Sequence, residues 1–307
     1  MQHCRTDLAR EARDLAGSSL EGIEQVTERR DGLSVERITI CTEAAAQRLG
    51  KPRGRYVTID ADDIPARDPR VFAAVSRRIA AELEGLLAEL PPDGDVMVIG
   101  LGNRFVTPDA LGPETADRIY VTRHIRTDAP ELAPSGLRAV SAMAPGVLGT
   151  TGMETVEIVK GLVEHARPAA VICIDALAAR STDRVNRTVQ LSDSGISPGS
   201  GIGNLRDALS RETLGVPVIA IGIPMVVYAA TIAADTVGLI AERTGIPDGG
   251  GALRSLVSEV VQEHFGPLIV TPKEIDLIID DAAEMLADGI NRMLHRAYFT
   301  EIQALLD

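Results

Sequence analysis

The sequence predicts an α/β fold, a three-layer sandwich in which helices cover both faces of a mostly parallel central sheet. Residues 96–101 and 171–174 are almost all apolar and lack the polar alternation of half-exposed strands. Such runs are typical of strands buried on both faces of an α/β sheet. A helical apolar stripe over 72–90 supplies part of a covering layer. We therefore expect one α/β domain, whose 307 residues and 45% hydrophobic content suffice for a substantial core.

The first part of the chain predicts a polar segment, two paired strands and a helix. Residues 1–15 are polar and of mixed charge, which indicates a surface segment. Apolar and polar residues alternate over 33–41, and a second strand at 55–59 follows a glycine turn, so we expect these two strands to pair. Asp68 and Pro69 then provide the cap and the first position of the helix that carries the apolar stripe.

The segment 96–113 contains the first candidate for chemistry. Its strand is followed by glycines and by Asn103, a candidate substrate contact, and Asp109 stands at the predicted start of a helix that runs to Ile125. Ligands of open α/β sheets bind outside the carboxyl ends of the strands, which makes Asp109 a candidate site residue. A helix cap is the alternative role of this aspartate. A dinucleotide site is disfavoured because Phe105 occupies the third glycine position.

A second acid follows the same pattern farther along the chain. The buried strand predicted at 171–174 ends at Asp175. Right-handed crossovers place the carboxyl ends of neighbouring parallel strands at one edge of a sheet. We therefore expect Asp109 and Asp175 to face a single cleft.

Two loops rich in small residues are candidate substrate loops. The first contains Gly146 and Gly149 before a predicted helix, where backbone N–H groups suit a peptide carbonyl or an oxyanion. A tight turn alone also explains these glycines. The second loop follows a predicted strand and contains Asp193, Ser197 and Gly199. Asp193 is either a third acid near the cleft or a turn-forming residue.

The last part of the chain predicts further elements of the same sandwich. A buried strand is expected at 217–223, followed by a mostly apolar helix at 226–243. The residues 271–274 form a capping box that opens a long helix to about His295. One side of that long helix is apolar, so we expect it to pack against the core.

Composition restricts the classes of function. The net charge of −13 argues against direct binding of nucleic acid, which requires clustered Lys and Arg. Cys4, Cys41 and Cys173 show neither the density of a disulfide framework nor metal-ligand spacing, which favours a reducing cytoplasm. The sequence predicts neither a signal peptide nor a membrane span. We predict no cofactor, no metal and no membrane contact.

Several long motifs carry a family resemblance. They occur in order along the chain and are GLGNRFVTPDALGP (100–113), SAMAPGVLGTTGMET (141–155), IDALAAR (174–180), SDSGISPGSGIGN (192–204) and VTPKEID (270–276). On these motifs the sequence resembles the germination protease of endospore-forming bacteria. The resemblance implies an atypical aspartic-type endopeptidase, made as a homotetrameric zymogen, whose essential acids match Asp109 and Asp175. It also implies a fold similar to that of hydrogenase maturation peptidases, which use acids at comparable strand ends to hold a metal.

The resemblance further implies a substrate class, a compartment and an activation step. The substrates are small acid-soluble spore proteins, whose degradation such enzymes initiate during germination, in the forespore and spore-core cytoplasm. The propeptide of the family is cut at a site like the substrate motif, Thr-Glu-Ile/Phe before Ala, and TDLA at 6–9 matches it. We therefore predict autoprocessing between Leu8 and Ala9. Residues 1–8 are then a short propeptide-like segment, and 9–307 form a single peptidase domain.

Two neighbouring aspartates suit peptide hydrolysis. Close carboxylates do not both ionise readily, so they share a proton: one activates water while the other polarises the carbonyl. The sequence does not assign these roles between Asp109 and Asp175. A metal-dependent peptidase is one alternative, although Ser197 stands where some family members have His, which disfavours a third ligand there. A non-catalytic protein that holds a peptide in the same groove is another.

Overall fold

The structure is a computed structural model that describes residues 6–16, 21–61, 64, 68–197, 207–245 and 251–306. Helices and strands alternate through most of this part of the chain. The elements in chain order are α1 (Ala9–Ala16), β1 (Ile23–Arg30), β2 (Leu33–Ile40), α2 (Glu43–Leu49), β3 (Gly54–Asp60), α3 (Pro69–Leu86), β4 (Val96–Gly100), α4 (Leu111–Ala116), α5 (Arg123–Asp128), β5 (Val140–Met143), α6 (Leu148–Thr151), α7 (Thr155–Ala166), β6 (Ala170–Ala179), β7 (Thr188–Ser192), α8 (Arg211–Leu214), β8 (Val218–Tyr228), α9 (Ala229–Thr244), α10 (Ala252–Phe265), β9 (Ile269–Val270), α11 (Ile275–His295) and α12 (Phe299–Leu306).

The strands of this part of the chain form one nine-stranded sheet in the order β1-β2-β3-β7-β8-β6-β4-β5, with β9 paired to β8. β8, β6, β4 and β5 are mutually parallel. The remaining pairs are antiparallel. Following these pairings, β1 and β3 also run in the direction of the parallel group, and only β2, β7 and β9 oppose it. The sheet is therefore mostly parallel in strand direction, as predicted.

Helices cover both faces of the sheet and complete the three layers. On one face, α3 and α11 pack over the large apolar cluster that contains Ile172, Ile174 and Leu191. On the other face, α7 packs over a cluster around Cys173, and α2 packs over a third cluster around Tyr56. Burial of a strand on both faces removes the need for polar alternation, which is why β4 and β6 are apolar throughout most of their length. The α/β class is confirmed.

Most predicted elements are present, but several differ from the prediction. β1 was not predicted because most of its residues are exposed and polar. α10 was not predicted either. The capping box at 271–274 is absent, because α11 begins at Ile275 without a side-chain cap. The predicted ends of α3 and α11 agree with the structure to within a few residues.

The single helix predicted from Asp109 to Ile125 is wrong. A short 3-10 helix at Thr107–Asp109, α4 and α5 replace it. Tertiary hydrogen bonds draw the intervening chain away from a helical path: Tyr120 N–H donates to Asn291 Oδ1 at 2.9 Å, and Thr122 N–H donates to the carbonyl of Val140 at 2.9 Å. Hydrophobic periodicity within one segment carries no information about partners that are distant in the sequence.

The surface segment predicted at 1–15 is also wrong for the residues that the structure describes. Leu8 and Ala9 are each 1% exposed, and Ala12 is buried. The segment is polar because it packs through polar contacts, not because it faces solvent. Glu11, itself buried, accepts backbone N–H bonds from Arg180 at 2.8 Å and from Ser181 at 3.0 Å.

No helix within the described ranges combines the length and the apolar character needed to cross a membrane.

Candidate active site

The loop after β4 positions the first of the predicted acids. The chain turns sharply at Gly102, where φ is 111°. A Cβ atom at Gly102 would lie 2.1 Å from the carbonyl oxygen of Asp109, so only glycine permits this approach. The loop therefore wraps directly around Asp109.

Asp109 is held by backbone groups on both sides of its own turn. It ends the 3-10 helix Thr107–Asp109, and its N–H donates to the carbonyl of Val106 at 2.8 Å. Its Oδ2 accepts the backbone N–H of Asn103 at 2.8 Å. The aspartate is half-buried and does not cap α4. The expectation that Asp109 opens a helix is thus corrected: it closes a loop against the end of β4.

Asp175 lies within β6 and not at its end, which corrects the predicted strand boundary. β6 continues to Ala179 because it pairs with β8 along this length, through an irregularity between Leu177 and Ala178. β4 stops at Gly100, opposite Ile174, so Asp175 is the first residue of β6 beyond its neighbour. Its side chain is 7% exposed, and Oδ1 accepts the N–H of Ala176 at 2.9 Å.

The structure brings Asp109 and Asp175 together. Burial raises the pKa of Asp175 well above its ordinary value, and the negative charge of Asp109 raises it further. The N–H of Ala176 opposes this shift by stabilising the carboxylate. Desolvation and a like charge both favour the protonated form of Asp175.

A third acid contributes to the site, and the sequence did not assign it there. The charge of Asp7 is the next cause of the raised pKa of Asp175. The Asp7 Oδ2 accepts the N–H of Ala178 at 2.9 Å, and the Asp7 N–H donates to the carbonyl of Ala178 at 3.1 Å. The motif at 6–9 had marked Asp7 as part of a cleavage site, which was the only signal in the sequence.

The other predicted site residues lie at different places. Asn103 is part of the Asp109 loop, where its Oδ1 accepts the N–H of Phe105 at 3.0 Å. Gly146 has a φ of 79° after β5, and Gly149 is exposed within α6. The predicted open glycine loop is therefore partly helical. Gly146 and Gly149 stay predicted substrate contacts.

The second predicted loop, which contains Asp193, begins away from the two aspartates. β7 runs antiparallel to β8, so Asp193 follows β7 beyond the level of Ala220, toward the sheet edge opposite Asp175. Its carboxylate accepts the N–H and the Nε–H of Arg55, both at 2.6 Å. Asp193 is thus the ion-pair partner of Arg55 and not a third acid beside Asp109 and Asp175.

The chain after Asp193 returns over the face of the sheet that carries Asp175. Ile196 packs against both the cluster around Cys173 and the one around Leu8. Ser197 is half-buried beside it and stays a predicted substrate contact, while Gly199 lies outside the described residues. Across the described ranges, no group of three or more His, Cys, Asp or Glu side chains is arranged to hold a metal ion.

Comparison with known proteins identifies the family. The sequence profile described as germination protease matches residues 4–247 and 249–304 of this chain. The chain belongs to the germination protease family. It is accordingly an endopeptidase, and the resemblance drawn from the motifs is confirmed.

Individual germination proteases match along almost their whole length. The protein from Clostridium acetobutylicum is 40% identical over 316 residues, covering 97% of this chain and 97% of its own. The protein from Clostridium perfringens (strain ATCC 13124) is 43% identical and covers 95% of each chain. The protein from Priestia megaterium is 40% identical over 346 residues, covering 95% of this chain and 93% of its own.

Among solved structures, the [NiFe] hydrogenase maturation protease HycI from Thermococcus kodakarensis is similar to this chain at a TM-score of 0.38. The two share 18% sequence identity, and the match covers 69% of this chain and 98% of HycI.

Proposed function

We propose that this germination endopeptidase hydrolyses peptide bonds with a water molecule activated by Asp109 and Asp175. The observation that carries the proposal is the burial of Asp175 beside Asp109 at the point where β4 ends and β6 continues. Two carboxyl groups in unequal surroundings supply an acid and a base at one site. The family resemblance points to the same two positions.

The surroundings of the two aspartates support different roles for them in this proposal. Asp175, buried and protonated, donates a hydrogen bond to the carbonyl oxygen of the scissile peptide. Asp109, half-buried and oriented by the N–H of Asn103, accepts a proton from water. The resulting hydroxide forms a bond to the carbonyl carbon, and the tetrahedral oxygen takes the proton from Asp175. Collapse breaks the C–N bond, the proton held by Asp109 passes to the leaving amine, and Asp175 regains its proton from the tetrahedral hydroxyl.

The substrates in this proposal are small acid-soluble spore proteins, and the enzyme works in the forespore and spore-core cytoplasm as a homotetramer. The resemblance to the family supports these assignments. The net charge of −13 disfavours direct contact with nucleic acid, so the enzyme meets its substrates at segments that are free of DNA. Light scattering of the purified protein tests the assembly, because a tetramer has four times the mass of the chain.

Peptide cleavage tests the mechanism. Purified protein is incubated with a peptide that contains Thr-Glu-Ile-Ala, with and without a chelator, and the products are identified by mass spectrometry. We expect cleavage before Ala that is unchanged by the chelator and absent in Asp109→Asn. Loss of cleavage with the chelator, restored by a divalent metal, would contradict the two-aspartate mechanism in favour of a metal-dependent one.

A further inference from the structure

A row of polar positions crosses the face of the sheet that carries Asp175. Neighbouring strands place Glu36, Thr58, Gln190, Gly222 and Asp175 in one register. The four side chains of this row are between 1% and 8% exposed. A polar row under a layer of chain is costly unless its hydrogen bonds are satisfied, so what covers it must itself be polar.

Gly222 stands in this row between Asp175 and Gln190 and contributes no side chain to it. A Cβ atom at Gly222 would lie 2.4 Å from the carbonyl oxygen of Asp175 and 2.8 Å from Cγ of Leu177. Strands in a sheet are spaced by about 4.8 Å, so the backbones at Asp175 and Gln190 are roughly 10 Å apart. The Leu177 side chain fills the space that a side chain at Gly222 would need, so this position of the row admits only glycine.

The N-terminal segment lies against this row and is bound there through its backbone. The side-chain amide of Gln190 donates to the carbonyl of Asp7 at 2.9 Å and accepts the N–H of Ala9 at 2.6 Å. The Lys51 ammonium donates to the carbonyls of Thr6 and Asp7, both at 3.0 Å. Side chains that bind consecutive backbone groups recognise any peptide in this conformation, whatever its sequence.

The edge of β6 adds recognition of an acidic residue. Beyond the end of β4, Ala178 offers its N–H and its carbonyl to the segment. The Asp7 N–H donates to the Ala178 carbonyl, and the Asp7 carboxylate accepts the Ala178 N–H at 2.9 Å. A charge-assisted bond to this N–H favours an acid at the position.

The next two positions select an aliphatic and a small residue. The Leu8 side chain is 1% exposed and lies in an apolar pocket. Ala9 is equally buried, beside the cluster that contains Ile38 and Tyr56. The residues that form the Leu8 pocket are Leu177, Ala179, Val185 and Val227.

The Lys51 ammonium group depends on the segment for its hydrogen bonds. Burial lowers the pKa of Lys51, and the charges of Asp7 and Glu11 partly oppose that shift. An ammonium group placed in such surroundings is stabilised only by oxygen atoms that replace water. The two carbonyls of the segment supply them.

We propose that this groove, defined by Lys51, Gln190, Gly222, Ala178 and the Leu8 pocket, is the docking site for the substrate peptide, and that residues 6–9 occupy it as an internal ligand. The inference rests on the proposed function. The groove takes a peptide that bends as this segment does at Asp7, with an acidic residue, a large aliphatic residue and alanine in that order. Such a substrate must displace residues 6–9 before it reaches Asp175.

Binding of a fluorescent peptide that contains Thr-Asp-Leu-Ala, followed by anisotropy on the full chain, tests the proposal. We expect Asp7→Ala, which loosens the internal ligand, to bind the peptide at least about tenfold more tightly than the wild type. Lys51→Met, added to Asp7→Ala, should weaken binding by at least about tenfold, as for loss of one charge-assisted hydrogen bond. Lys160→Met, at an exposed position of α7, is the matched control and should leave binding unchanged.

A second measurement avoids any effect on folding. In the peptide, Lys in place of Asp should weaken binding to the Asp7→Ala protein by at least about tenfold. Equal binding of the two peptides, or equal binding by Lys51→Met and Lys160→Met, would overturn the docking site. Cleavage is followed in parallel: binding without cleavage supports the groove and contradicts the proposed mechanism, whereas cleavage that is indifferent to Lys51 overturns the groove alone.

Discussion

The carboxylate of Asp109, fixed by the loop after β4, lies close enough to Asp175 on β6 for its charge to raise the pKa of Asp175. The two residues reach each other because β4 ends one position before the level of Asp175. The loop that leaves β4 therefore folds over a part of β6 that has no neighbouring strand on that side. The consequences of this arrangement are open to measurement.

Asn in place of either aspartate should abolish peptidase activity without unfolding the protein. Asp109→Asn and Asp175→Asn keep the side-chain shape and remove the shared proton, so we expect kcat to fall by at least about a hundredfold in each. Asp117→Asn is the control, since Asp117 is an exposed partner of Arg104. Retention of more than about a tenth of the activity would remove that aspartate from the catalytic pair.

Asp175→Asn should also make the protein more stable at neutral pH. The pKa of Asp175 is raised in the folded state, so its contribution to stability is complete below about pH 4 and is lost as the pH rises through the folded pKa. Asn does not ionise and avoids this loss. One pKa unit corresponds to about 1.4 kcal/mol, or roughly 2 °C in the unfolding midpoint. Calorimetry should show this gain of Asp175→Asn over the wild type at pH 7 and little difference near pH 3.5. If the variant and the wild type have the same unfolding midpoint at both pH values, the raised pKa of Asp175 is contradicted.

Gly102→Ala should inactivate the enzyme through Asp109. The new Cβ would lie 2.1 Å from the carbonyl oxygen of Asp109, at a φ of 111°, so the loop must move. A displacement of about 1 Å at a catalytic group costs about a hundredfold in rate. Gly161→Ala is the matched control, because a Cβ there meets no other atom within 4 Å. Kinetics that are the same for both variants would show that the loop geometry does not position Asp109.

Self-processing at the Leu8–Ala9 bond should require local unwinding. Both residues are buried, and the Leu8 carbonyl accepts the N–H of Ala12 at 3.1 Å in the first turn of α1. Glu11 fixes this turn by accepting the backbone N–H groups of Arg180 and Ser181. A lower pH favours the shared proton that the aspartate pair requires. After an acid shift, mass spectrometry should detect a new N-terminus at Ala9 in the wild type but not in Asp175→Asn.

Two results would contradict self-processing at the Leu8–Ala9 bond. Trimming of Asp175→Asn, in the absence of any other protease, would show that the pair does not cut its own chain. If neither protein is trimmed, residues 1–8 are not removed and the internal ligand stays in the groove. Asp117→Asn should behave as the wild type in the same experiment.

The pair Asp109 and Asp175 was predictable because each acid follows a buried apolar run, and such runs are local features of the sequence. The docking groove was not predictable in this way. Gln190 binds Asp7 across 183 positions of the chain, and Lys51 binds it across 44. No motif in the sequence surrounds Gln190 or Lys51. Only the pairing of β7 with β8 and the path of the N-terminal segment reveal what these two residues contact.

The sequence by itself determined the α/β class, most strands and helices, the family and the proximity of the two aspartates, because hydrophobic periodicity and long motifs depend on neighbouring residues. Tertiary structure alone decided that Asp109 closes a loop, that Asp175 lies buried inside β6 with a raised pKa, and that Asp193 pairs with Arg55 away from them. Burial, strand direction and register set these properties. They arise from contacts between distant parts of the chain, and no local pattern of residues encodes them.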